Sequence, residues 1–274
     1  MKLLRRLTIK QRLLANALAL IIAMLMMLAI LFYQSNQLTS LASTQQLVEQ
    51  LNTTVLMLRR HEKDFMMRHD LKYQQRLNDR IEQLTDKGVT LRQYLQSHDI
   101  PTAPLDRFNQ LTAEYQQVFN KLVAQQQQLG LTPAEGLMGR LRDSAQTLEQ
   151  QLNQTDETQL IMMLLQLRRL EKDFLLRLEP RYADTFNSEF ATFISSLQRS
   201  FPAGTAAANA YRDGFNSFVE GMKQLGLDET QGLTGQMRSA IQQTETSLET
   251  LSAETSDAIA AAVASTKQLA IIIF

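Results

Sequence analysis

Charged residues recur in this sequence as faithfully as apolar ones. The string Leu58-Arg59-Arg60-His61-Glu62-Lys63-Asp64-Phe65 returns 109 positions later as Leu167-Arg168-Arg169-Leu170-Glu171-Lys172-Asp173-Phe174. The match continues through Arg68/Arg177 to Tyr73/Tyr182. A packed core needs only apolar residues at repeated positions, so a repeated charged string asks for a separate account. At about 100° per residue on a helix, Leu51, Val55, Leu58, Glu62 and Phe65 share one face. In the second copy Leu160, Leu164, Leu167, Glu171 and Phe174 do the same. Arg59 and Arg168 fall at the edge of these stripes, and Arg60 and Arg169 point away. Each stripe therefore holds a carboxylate with a guanidinium at its edge.

A second repeat, at an offset of 96, supplies two more arginines. Tyr115, Phe119, Leu129-Gly130-Leu131, Gly139 and Arg142 match Tyr211, Phe215, Leu225-Gly226-Leu227, Gly235 and Arg238. Arg142 and Arg238 flank stripes of their own, and the glycine three residues before each leaves room for close approach. Two chemistries fit these residues. In the first, Glu62 pairs with Arg59 and Glu171 with Arg168 as a polar layer that fixes helix register. Arg60–Asp64 and Arg169–Asp173 are then exposed i, i+4 pairs worth a few tenths of a kcal/mol, about 0.2–0.5. In the second, Arg59, Arg142, Arg168 and Arg238 all face inward against two glutamates. The surplus positive charge would be costly to bury unpaired. A small organic dianion would resolve it, because guanidinium groups grip carboxylates in bidentate fashion.

Other chemistry is thin. His61 and His69 are too far apart for an i, i+4 metal pair, and no metal or cofactor site is expected. No Ser/His/Asp set, phosphate-binding glycine loop or nucleotide fingerprint is visible, so no catalytic residue is expected. The chain has no cysteine, which excludes thiolate zinc sites, thiol catalysis and disulfides. Lysine plus arginine balance aspartate plus glutamate at 28 each, so no global field argues for nucleic acid.

The elements that must position these residues are helices. Gly (10) and Pro (5) are scarce among 274 residues, and the dominant Gln, Leu, Ala, Met and Arg favour helix. The fold class is all-α. Residues 1–12 carry five basic groups and no acid, and read as a cytoplasmic tail. Residues 13–33 contain no charge and, at about 1.5 Å per residue, span roughly 30 Å, the thickness of a bilayer's hydrocarbon core. They read as an uncleaved transmembrane helix. Residues 267–274 read as the start of a second, truncated transmembrane helix. Between them, breaks near 97–104, 130–136, 153–156, 200–204 and 226–232 divide residues 34–266 into six helices. The first runs without a break over 34–97 and the fourth over about 157–200, kinked by Pro180. Thr132, Pro133 and Glu135 have the spacing of a capping box at the start of the third. Counting lengths gives two stacked four-helix bundles sharing the first and fourth helices. The near-membrane bundle takes 34–68, 133–152, 157–178 and 228–266. The far bundle takes 69–97, 104–129, 180–200 and 205–225.

The duplicated Leu-Arg-Arg-x-Glu-Lys-Asp-Phe string and the six-helix plan between membrane helices resemble the helical bimodular sensor domain of bacterial methyl-accepting chemotaxis proteins and some sensor kinases. The resemblance covers about residues 34–266. It implies two stacked helical modules in the periplasm, small organic acids as ligands, a homodimer in the inner membrane, and signalling through small shifts of the membrane helices to cytoplasmic chemotaxis proteins. It also implies carboxylate anchors at Arg59, Arg60, Arg168, Arg169 and Arg238; Arg142 joins them from the charge count. The expected function is the ligand-sensing region of a transmembrane chemoreceptor. The alternatives are the sensor half of a membrane histidine kinase, or a structural bundle with no ligand.

Overall fold

The computed structural model describes residues 9–273; within that range the side chains at 11, 12, 33, 34, 36–38, 40, 41, 262 and 265–273 are left undescribed. Among the described residues the chain is all-α. Its elements are α1 (Ile9–Arg68), α2 (Lys72–Ser97), α3 (Ala103–Leu129), α4 (Gly136–Leu152), α5 (Thr158–Arg177), α6 (Pro180–Ser200), a 3-10 turn (Pro202–Gly204), α7 (Thr205–Leu225) and α8 (Gly232–Ile273). Most of the basic tail expected at 1–12 lies outside the described residues. So do the side chains of the second membrane helix expected at 267–274, although its backbone is helical to Ile273. Leu13–Phe32, within α1, is long and apolar enough to cross a membrane; its mean hydropathy is 2.6 and none of it is buried.

Two expected helices are broken. The first does not run from 34 to 97: it stops at Arg68, and His69 takes a left-handed φ of 50° before α2 begins at Lys72. The fourth stops at Arg177, where Leu178 (φ 54°) caps α5 and its N–H donates to the Phe174 carbonyl at 2.8 Å. Pro180 does not kink a helix. It is the first residue of α6, where its missing N–H costs nothing and its fixed φ suits a helix start. The capping box is also absent. Glu135 N–H donates to the Thr132 carbonyl at 3.1 Å in a turn, and α4 starts only at Gly136 with no side-chain cap.

The chain divides into two compact units. One comprises residues 1–53, 85–107 and 248–274. Its core includes Val48, Leu51, Leu91, Leu95, Leu105 and Leu251, together with buried Thr44 and Thr255. The end of α2 closes as a Schellman motif: Ile100 N–H donates to the Leu95 carbonyl and Asp99 N–H to that of Gln96, with Asp99 left-handed (φ 55°). Pro101 then blocks further helix, and an Arg92–Asp106 ion pair ties α2 to α3.

The other unit comprises residues 54–84 and 108–247. Here α4 packs on α5 and α7, and α6 packs on α5 and α7. These four consecutive helices close an up-and-down bundle. Phe186, Phe190, Phe193 and Leu197, spaced for one helical face, are all buried along α6. The Phe186 ring lies tilted with its centre 4.1 Å from that of Phe215 on α7, and Phe174 of α5 meets Phe215 edge-on at 5.7 Å. This corrects the expected partition, which put α4 and α5 in one bundle and α6 and α7 in another. The break at Leu178 lets α6 turn back beside α5, so residues read as one long helix lie side by side.

Candidate functional site: the duplicated charged layer

Both glutamates of the repeated string are held by tyrosines from the second repeat. In the first copy Tyr115 Oη donates to Glu62 Oε2 at 2.9 Å, and in the second Tyr211 Oη donates to Glu171 Oε2 at 2.8 Å. The aromatic rings beside them repeat as well, Phe65 edge-on to Phe119 and Phe174 edge-on to Phe215. The tyrosines were visible in the sequence as repeated residues but not as partners of the glutamates. The signal that links them is joint: one partner recurs at an offset of 109, the other at 96, and each pairing survives.

The arginines behave differently in the two copies. Arg168 Nη1 donates to Glu171 Oε2 at 2.5 Å, as the polar-layer reading expects, and Lys172 Nζ donates to Oε1 at 2.8 Å. Glu171 is only 1% exposed, and it has a tyrosine hydroxyl, a guanidinium and an ammonium as donors. Arg59 instead reaches Glu245 on α8, with Nη1–Oε1 2.9 Å and its side chain 42% exposed. The helix wheel missed Glu245 because it lies 186 positions away. Glu62, half-buried, is left with Tyr115 as its hydrogen-bond donor. Burial pushes its carboxyl above the usual range, offset in part by the Tyr115 hydrogen bond and then by Arg59. Both tyrosine hydroxyls are pushed up in turn, chiefly by burial and then by the carboxylate beside each.

The four arginines expected to face inward do not do so together. Arg142 is exposed, with no ion pair among the described residues, and Arg238 is exposed and paired with Glu229 in the preceding turn. Arg60 and Arg169 form the expected i, i+4 pairs with Asp64 and Asp173, at 4.0 and 3.8 Å, on exposed side chains. The glycines before Arg142 and Arg238 have another reason as well. A Cβ on Gly139 would overlap the Ala134 carbonyl oxygen, and one on Gly235 the Thr230 carbonyl oxygen. The close approach is to the chain's own turn. Two cavities, of about 520 and 510 Å³, are lined by none of the six arginines. Among the described residues no group of three or more His, Asp or Glu side chains is placed to hold a metal.

Chemically, the layer in each copy is a carboxylate held by a tyrosine hydroxyl, joined at Glu171 by a guanidinium and an ammonium. That arrangement sets register: shifting either helix by one residue would strand a buried charge, at a cost of several kcal/mol, roughly 3–5. No protein-family model matches the chain, and no curated protein matches it.

Proposed function

We propose that the chain is the sensory region of a bacterial transmembrane chemoreceptor. Residues 34–266 would face the periplasm, and two copies would associate in the inner membrane. The observation that carries this reading is the continuity of α1. One unbroken helix bears both the apolar segment Leu13–Phe32 and the charged string around Glu62. In this reading an event at Glu62 would be passed along α1 to the apolar segment. α8 supplies a second unbroken helix, and the Arg59–Glu245 pair couples it to α1.

The two-bundle plan belongs to the same proposal in a revised form. The second bundle is α4–α7. The first is its repeat counterpart, built from α1, α2, α3 and α8. Supporting it are Glu62–Tyr115 between α1 and α3, Gln74–Asn120 between α2 and α3, and Arg59–Glu245 between α1 and α8.

The ligand proposed is a small organic acid. With Glu171 already satisfied, the arginines open to an incoming carboxylate are the exposed ones, Arg60, Arg142, Arg169 and Arg238. Their present pairs are surface pairs worth about 0–1 kcal/mol, which a bidentate ligand can displace. The test is thermal unfolding of the full chain in lipid nanodiscs with mono-, di- and tricarboxylates. A binding acid at about 100 times its dissociation constant adds about 2.7 kcal/mol. Arg238→Ala is expected to remove that shift and leave the ligand-free transition in place. If no carboxylate shifts the transition, the organic-acid reading is wrong.

A further inference from the structure

The larger cavity, of about 520 Å³, lies where the turns of both repeats gather, and its lining follows the internal duplication. Leu129 and Leu131 on one side have Leu225 and Leu227 on the other, at the offset of 96. Close by, Gln125 Nε2 donates to the carbonyl of Gly221, its own counterpart 96 positions on, at 2.9 Å. A residue that touches its own repeat equivalent sits at the internal two-fold, so the cavity is shared by the two copies.

The lining breaks this symmetry in its chemistry. His69 is matched by Leu178, and Gln126 by Met222. At these two positions the first copy offers hydrogen-bonding side chains, with Gln126 Nε2 donating to the Gly130 carbonyl, and the second offers apolar ones; Met138 and Thr234 reverse the order, but the Thr234 hydroxyl donates to the Leu225 carbonyl. The cavity contains no lysine or arginine, and the oxygens of its carboxylate, Asp228, are taken by the Thr230 N–H and hydroxyl and the Gln231 amide. A charged ligand would go unpaired there. His69 and Leu178 also hold left-handed backbone, φ 50° and 54°, which costs a branched or bulky side chain dearly and glycine nothing. Glycine would end α1 and α5 more cheaply, yet both positions carry side chains that line the cavity.

We propose that this cavity binds a neutral, mainly apolar small molecule with one hydrogen-bonding group, its ring or chain against Leu178 and Met222 and its polar end toward His69 and Gln126. The size and mixed lining suit a small-molecule site. The site is separate from the acid-binding arginines and stands or falls independently of them.

The test uses the full chain in lipid nanodiscs and 4-fluorophenol as the probe, followed by fluorine NMR. A saturable shift or broadening of the fluorine resonance is expected. Met222→Trp, which fills the apolar half, is expected to weaken it at least tenfold. Leu178→Gly suits the left-handed backbone, so the helices stay formed by circular dichroism while affinity falls several-fold. If Met222→Trp fails to fold, Leu178→Gly decides alone. The proposal is overturned by no saturable binding, by equal binding in a folded Leu178→Gly variant, or by 4-fluorobenzoate binding as tightly as the phenol.

Discussion

Removing one hydroxyl from Tyr211 tests whether the charged layer is a satisfied network. Tyr211 Oη is one of three donors on the Glu171 carboxylate, which is 1% exposed and cannot turn to water for a replacement. A hydrogen bond to a charged group contributes about 1.5–3 kcal/mol. Tyr211→Phe keeps the ring, which packs edge-on to Phe186 at 5.4 Å, so the loss isolates the hydroxyl. In a domain of this size each kcal/mol moves the transition by about 2–4 °C, giving an expected fall of roughly 3–12 °C. Tyr115→Phe provides the internal control. Glu62 is half-buried, so water can partly replace the hydroxyl, and its fall is expected to be less than half as large. The assay is thermal unfolding of the full chain in nanodiscs by circular dichroism at 222 nm, with urea unfolding as a check. Equal losses at the two tyrosines, or a loss at Tyr211 below about 0.5 kcal/mol, would refute the claim that burial of the carboxylate sets the cost.

Three further outcomes follow from the same geometry. Folding raises the Glu62 carboxyl above its ordinary value of 4.5, so the folded state binds more protons than the unfolded chain between those two values. Its favourable contribution is complete below the ordinary value and is lost as pH rises through the folded one. Glu62→Gln is therefore expected to match or exceed the wild type in stability at pH 7, with the difference closing toward pH 4; a loss above about 1 kcal/mol at pH 7 would count against it. Gly235→Ala forces a Cβ onto the Thr230 carbonyl and is expected to cost about 1–3 kcal/mol, measured by urea unfolding; a neutral result would mean the turn yields. Arg142→Ala removes an exposed side chain and is expected to leave the unfolding midpoint within about 0.5 kcal/mol, where a larger loss would reveal a hidden partner.

The sequence speaks clearly where chemistry is local. The turns at 97–103, 130–135, 153–157, 201–204 and 226–231 are marked by Gly, Pro, Asn or Asp, and the helices fall between them within a few residues. The buried stripe of α5, Leu160, Leu164, Leu167, Glu171 and Phe174, is the one the helical period picks out. The breaks at His69 and Leu178 are hidden because leucine rarely takes left-handed backbone and histidine, though it tolerates it, does not mark a helix end as glycine does. Pro180 compounds this, because a proline inside a helical pattern signals a kink as readily as a helix start. Taking it as a kink turns two side-by-side helices into a single long one, and the expected bundle assignment follows from that. At the charged layer, Arg168–Glu171 is legible because it is an i, i+3 pair on one helix. Arg59–Glu245 is not, because no local rule says which distant helix lies alongside.

Chain order also sets the sequence of assembly. The helices α4 to α7 each pack on a neighbour in sequence, and such local contacts form quickly and need little loop closure. The Arg59–Glu245 contact spans 186 positions and waits for α8. α1 is made well before α8, so Arg59 lacks its Glu245 partner until α8 follows. The α1–α8 pairing therefore forms after the sequence-local contacts of α4 to α7.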